Sequence, residues 1–162
     1  RQNMLKIIHM KVNDKPVEVA VEPGELLADT LRNRFGLTSV KKGCSVGECG
    51  ACTVLIDGIA KDSCLILSAW AEGKAIHTVE GLKAGADGLH PIQRAFVEEA
   101  AVQCGFCTPG IIMSAVEIAA SGRKYSREEL RRLISGHLCR CTGYENILNA
   151  LERAQQEYGT GE

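Results

Sequence analysis

The chain has 162 residues, 45% hydrophobic and 24% charged, enough for one compact domain or two small ones that lean on each other. Nineteen basic residues stand against twenty acidic ones, for a formal charge of -1, and without a basic block there is no footprint for nucleic acid. No run reaches the roughly 18 apolar residues that span a bilayer, and the start lacks a basic-then-apolar leader, so the expectation is a cytoplasmic protein with no membrane span.

In chain order, residues 4–10 and 16–21 read as two strands joined by a turn at Asn13-Asp14. After Pro23-Gly24, Leu26, Leu27, Leu31 and Phe35 fall near one face of a helix that Gly36 can stop. A glycine-rich loop, KKGCSVGECGAC, follows. Residues 53–56 read as a strand, Asp57-Gly58 as a hairpin turn into Ile59-Ala60, and residues 76–79 as a last short strand. Strands flanking one helix imply a small mixed sheet, hence an α+β unit over residues 1–79.

Residues 80–88, rich in Gly and Ala, read as a linker. From residue 89 to 162 every element reads as helix. His90 to Ala101 carries Ile92, Ala95, Phe96 and Ala100 at helical spacing; Thr108 is placed as a cap with Pro109 behind it; Ser126 with Glu129, and Thr142 with Glu145, have capping-box spacing. Four helices in so short a segment make a small helical domain. Its core is slight, so ligation of a cofactor can couple to folding.

The unusual feature is eight cysteines against three Phe, three Tyr and one Trp. The first set is Cys44, Cys49, Cys52 and Cys64; the second is Cys104, Cys107, Cys139 and Cys141. A disulfide framework is the expectation for a short secreted chain, and this chain is long enough to build a core without one. The opening Cys44-x4-Cys49-x2-Cys52 has the plant-type spacing of a [2Fe-2S] centre, whose fourth ligand comes from elsewhere in the fold. Gly43, Gly47 and Gly50 let the loop turn tightly and bring backbone N–H groups to the sulfurs. Lys41 and Lys42 add positive potential there, or are simply solvated. In the second set each pair precedes a predicted helix, where exposed N–H groups favour thiolate.

Structural zinc usually draws cysteine pairs two to four residues apart, whereas Cys139 and Cys141 have one residue between them. A thioredoxin-like reading of CGFC strands the other pair and expects a βαβ setting. The spacing therefore favours two iron-sulfur sites, with a zinc-stabilised structural or interaction module as the alternative of another class. No G-x-G-x-x-G, Walker or H-E-x-x-H motif is present, and no paired carboxylates suggest acid-base chemistry, so no catalytic residue is assigned. The four histidines are scattered; His137, beside the second cysteine pair, reads as a polar surface residue rather than a ligand. Arg140 and Trp70 are candidates for a subunit interface.

KKGCSVGECGACTVLIDG with DSC at Cys64, then VQCGFCTPG, then HLCRCTGY, resembles the iron-sulfur subunit of molybdenum hydroxylases of the xanthine dehydrogenase and aldehyde oxidase family, over residues 5–150. The resemblance implies a β-grasp ferredoxin-like domain followed by a four-helix domain, each with a [2Fe-2S] cluster. It further implies that Cys44, Cys49, Cys52 and Cys64 hold the cluster nearer FAD, and that Cys104, Cys107, Cys139 and Cys141 hold the one nearer molybdenum. Gln103 and Cys141 would approach the pterin. The alternative for Gln103 is a helix-end residue bonded to its own backbone. The implied partners are a molybdopterin-binding catalytic large subunit and an FAD-binding medium subunit in a higher-order heteromer, this chain relaying electrons without catalysing alone. The chain's length suggests the separate small subunit of a bacterial three-component enzyme. The segment LSAWAEGKAIHTVEG most resembles bacterial purine-oxidising members of the family, which implies hypoxanthine or xanthine as substrate ahead of aldehyde, nicotinate or carbon monoxide.

Overall fold

The computed structural model describes residues 4–158; the outer ends of the two expected domains, residues 1–3 and 159–162, lie outside the described residues. An N-terminal β-rich ferredoxin-like domain is followed by an all-α one. The first hairpin pairs β1 (Lys6–Val12) with β2 (Lys15–Val21). Its turn places Asn13 and Asp14 at φ 50° and 65°, the left-handed pair that a two-residue hairpin needs and that Asn and Asp tolerate. Alternation along β1 buries Ile8, Met10 and Val12 and exposes Ile7, His9 and Lys11.

Helix α1 (Leu27–Phe35) ends at Gly36, whose φ of 68° suits a residue without a Cβ. It sets Leu27, Ala28 and Leu31 against Ile8, Met10, Val54 and Ile76 as one core. Strands β3 (Thr53–Ile56) and β4 (Ile59–Asp62) form the second hairpin, two residues longer than the expected Ile59-Ala60. Strand β5 (Ala75–His77) lies between β1 and β3, parallel to β1 and antiparallel to β3, giving the order β2-β1-β5-β3-β4. Val79, expected in that strand, instead begins a 3-10 turn.

The helical half comprises α2 (Pro91–Glu98), α3 (Thr108–Ala120), α4 (Arg127–Leu133) and α5 (Glu145–Tyr158) around Ile92, Phe96, Ile111, Leu130, Ile147 and Leu148. His90 caps α2 through its ring and Gln93 answers in a capping box; Ser126 and Glu129 form the expected box at α4. Two expected caps are corrected. Thr108 is already helical, with Cys107 at the cap. Thr142 stands before the turn into α5, where its hydroxyl accepts from the Tyr144 amide at 3.2 Å rather than from a helical N–H.

Helix α3 buries residues on nearly every side, from Gly110 through Ile118, because it serves both halves: it belongs to the helical core and also lies on β3 and β4. The side chains of Thr53 and Leu55, on the sheet face opposite Val54, are buried there. Among the described residues, no helix is long and apolar enough to cross a membrane.

Candidate metal centres

In the first cysteine loop, Ser45 at φ 58° and Gly47 at φ 76° bend the chain so that successive amides turn inward. The N–H groups of Val46 and Glu48 reach Cys44 Sγ at 3.4 and 3.2 Å. These donors bring the Cys44 thiol down to about 7, against the opposing effect of desolvation. Cys49 is its thiol partner. The other two members face one another from the turn entering β3 and the 3-10 turn after β4: the Ser63 hydroxyl donates to the Cys52 carbonyl at 2.7 Å, holding the Cys64 turn beside Cys52. Both thiols are buried, and burial pushes Cys52 up to about 12. The loop thus presents an outer, polarised pair and an inner, desolvated pair.

The second set repeats the pairing, with only one of its four thiols fully buried. Cys104 and Cys141 are exposed and paired; Cys107 is buried and paired with Cys139. The backbone N–H of Phe106 leads the effects that lower Cys104, while burial pushes Cys107 up to about 12. For Cys139 burial acts upward but is outweighed by the Thr142 hydroxyl, 3.1 Å from its Sγ, and by nearby amides. The Tyr144 hydroxyl accepts from the Cys139 amide at 2.7 Å and donates to the His137 carbonyl at 3.0 Å. Tyr144, itself at φ 68°, is a supporting residue that the spacing of the cysteines does not reveal.

Gln103 is exposed beside Cys104, and its side chain makes no hydrogen bond among the described residues. Arg140 and Trp70 are exposed. Lys42 is paired with Asp29 at 2.5 Å rather than directed at the sulfurs. The reading of His137 as a surface residue is corrected: it is 6% exposed, bonded through Nε2 to Ser114 Oγ at 2.7 Å. Burial lowers its pKa, Asp62 opposing, which favours the neutral ring. Its cover comes from α3 and from Gly50, far away in sequence.

The two sets are close neighbours. A Cβ on Gly43 would lie 2.9 Å from Cys49 Sγ and 3.4 Å from Cε1 of Phe106, the residue before Cys107. The Leu138 amide donates to the Cys49 carbonyl at 3.0 Å. Among the described residues no three His, Cys, Asp or Glu side chains converge on a site for a single metal ion; the thiols stand as pairs. Paired thiols fit a binuclear cluster, in which each iron takes two protein sulfurs, better than they fit tetrahedral zinc. Glycine at position 43 leaves the first site's sulfur uncrowded.

Fold and site together define a protein of two binuclear iron-sulfur centres, one in each half. Comparison with known proteins agrees: a 2Fe-2S iron-sulfur cluster binding domain matches residues 10–78 and a [2Fe-2S] binding domain matches residues 78–152, each span holding four of the cysteines. The chain is 51% identical to the xanthine dehydrogenase iron-sulfur-binding subunit of Escherichia coli O157:H7, covering 89% of this chain and 91% of that protein. It is 48% identical to the nicotine 6-hydroxylase small subunit of Paenarthrobacter nicotinovorans, covering 94% and 91% respectively. A chain of quinoline 2-oxidoreductase from Pseudomonas putida 86 superposes with a TM-score of 0.92 at 46% identity, over 98% of each chain. The protein belongs to the [2Fe-2S] small subunits of the molybdenum hydroxylase family, and it carries two such clusters as the electron relay of a larger oxidoreductase rather than as an enzyme on its own.

Proposed function

We propose that Cys44, Cys49, Cys52 and Cys64 hold one [2Fe-2S] cluster, that Cys104, Cys107, Cys139 and Cys141 hold the other, and that the relay serves purine oxidation. The observation that carries the ligand assignment is the gathering of the eight thiols into four pairs, two in each half. Bound there, a [2Fe-2S] centre takes up and gives back one electron at a time. The protein's own part is to present the sulfurs, to stabilise their negative charge with the amides of Val46, Glu48 and Phe106, and to keep Cys52, Cys64 and Cys107 buried. The exposed edge of Cys104, Cys141 and Gln103 faces the pterin on the molybdenum-binding large subunit. The loop bearing exposed Ser45, Val46 and Glu48 faces the FAD-binding medium subunit. The division into residues 1–79, a linker at 80–88 and a domain from 89 belongs to the same proposal.

Hypoxanthine or xanthine as substrate draws on the likeness to the xanthine dehydrogenase subunit. The nearly equal likeness to the nicotine 6-hydroxylase subunit supports a second reading, hydroxylation of a pyridine ring. The test is anaerobic isolation of the native complex, with metal analysis, EPR after reduction, identification of the partner chains and a screen of hypoxanthine, xanthine, aldehydes, nicotine and nicotinate. About four irons per chain and two spin systems are expected; stoichiometric zinc without those signals would refute the assignment. Turnover of nicotine but not of purines would replace the first substrate reading with the second.

A further inference from the structure

The segment before Cys139 crosses back onto the first cysteine loop at one point. There the Leu138 amide is bonded to the Cys49 carbonyl at 3.0 Å, while the Leu138 side chain is 60% exposed and Gly136 is also exposed. The side chains flanking His137 therefore do little to anchor the crossing. The Tyr144 hydroxyl holds its backbone from the helical side, and the His137 ring ties it to the first loop. Its Nε2 meets Ser114 Oγ in α3, the helix that starts directly after Cys107. Its Nδ1, buried and without a hydrogen-bond partner among the described residues, rests against Gly50: a Cβ there would lie 2.4 Å from it.

Gly50 is itself a junction. Its carbonyl accepts from the amide and hydroxyl of Thr53 at 3.2 and 2.7 Å, and lies 2.2 Å from where a Cβ on Gly110 would sit. One imidazole thus touches the residue after Cys49 and the helix after Cys107, and its backbone leads to Cys139. An apolar side chain of like size would fill the space without leaving a polar nitrogen unpaired, so packing alone does not account for histidine. The hold on Ser114 fixes the ring's orientation.

We propose that His137 is a positioning residue of the relay. By bracing Ser114 against Gly50 it sets the separation of the two cysteine-bearing loops, and with it the coupling between the clusters they hold. The inference rests on the ligand assignment above. It requires no change in the charge of the ring and assigns it no contact with iron.

The test uses the intact complex carrying His137→Leu, His137→Gln or Ser114→Ala. EPR of the fully reduced complex gives two readouts: the two sets of g-values report whether each cluster is bound, and their mutual spin-spin broadening reports the separation. Hydrogen exchange of the peptide containing Leu138 reports the crossing independently of turnover. With His137→Leu both spin systems persist, their mutual broadening changes, and the Leu138 amide exchanges about tenfold faster. His137→Gln, whose amide can still reach Ser114, restores the wild-type broadening in part. If His137→Leu prevents assembly, Ser114→Ala carries the test, with the same direction expected. Two intact spin systems with broadening and exchange unchanged in the assembled variants would overturn the inference alone. A wild-type complex lacking two spin systems would overturn the ligand assignment and this inference with it.

Discussion

Gly110→Ala is the sharpest test of how the two halves meet. Gly110 lies in the first turn of α3 with no left-handed φ, so alanine should favour the helix by up to about 1 kcal/mol. The surroundings oppose it. The added Cβ would lie 2.2 Å from the Gly50 carbonyl oxygen, 3.2 Å from its carbon and 3.3 Å from Ala51 Cα. All three are backbone atoms with no rotamer to yield. Restoring an ordinary C···O contact of roughly 3.3 Å requires α3 to retreat by about 1 Å, and overpacking of this kind costs about 1–3 kcal/mol. The net expectation is a loss of about 1–2 kcal/mol, a fall in Tm of about 2–8 °C for a chain of this size. Thermal unfolding of the iron-loaded protein followed by circular dichroism measures it. Gly24→Ala, where no atom lies within 4 Å of the new Cβ and φ is not left-handed, serves as the control and should change Tm little. A Tm for Gly110→Ala equal to or above the wild type would refute the close approach of α3 to Gly50.

Cys49→Ser should abolish the first spin system and leave much of the second, and Cys107→Ser the reverse; loss of both in a folded protein would contradict two separate sites. Tyr144→Phe removes the hydroxyl between the Cys139 amide and the His137 carbonyl, at about 1–3 kcal/mol, and should shift the second centre's EPR spectrum but not the first's. In iron-free protein at neutral pH, alkylation followed by peptide mapping should label Cys44, lowered to about 7, before Cys52 and Cys107, each raised to about 12; the opposite order would contradict the inner and outer division. Glu25, bonded to Arg34 and Thr30, titrates at about 2 instead of 4.5. Its folded pKa is depressed, so its contribution, on the order of 1 kcal/mol after solvent screening, is present above pH 4.5 and lost as pH falls toward 2. The denaturant midpoint of Glu25→Gln should accordingly lie below wild type near neutrality and converge with it in acid.

The parts of the fold legible in the sequence are those specified locally. Asn13-Asp14 and Asp57-Gly58 mark hairpins because these residues accept the left-handed pair of φ values found there; Gly36 ends α1 for the same reason, and Ser126 with Glu129 close a box within one turn. His137 misleads because its burial depends on Ser114 and Gly50, which no window around residue 137 contains. Thr142 has the right spacing for a cap, but the left-handed Tyr144 delays the helix. Cysteine spacing identifies two sets, yet the partnering of Cys104 with Cys141 and Cys107 with Cys139 follows from how α3 and the 139–141 turn face one another. Lys42 illustrates the same limit: proximity in sequence to the cysteines suggests a field on the sulfurs, and an acidic partner on α1 takes it instead.

Glu80, in the 3-10 turn after β5, accepts from the Ser39 amide and hydroxyl at 2.9 and 2.5 Å, and from the Thr78 hydroxyl at 2.6 Å. This clasp fastens the exit from the sheet, and residues 82–89 lead from it to the His90 cap of α2, tied to that helix by Asp87 on Arg94 at 2.6 and 2.7 Å. A short tether holds each half in the other's vicinity at an effective concentration on the order of millimolar. Against such a concentration, the packing of α3 on β3 and β4, the approach of Gly110 to Gly50 and the hydrogen bond to Cys49 need supply only modest affinity of their own. The surfaces outside that junction are then released from holding the chain together and remain open to partner subunits.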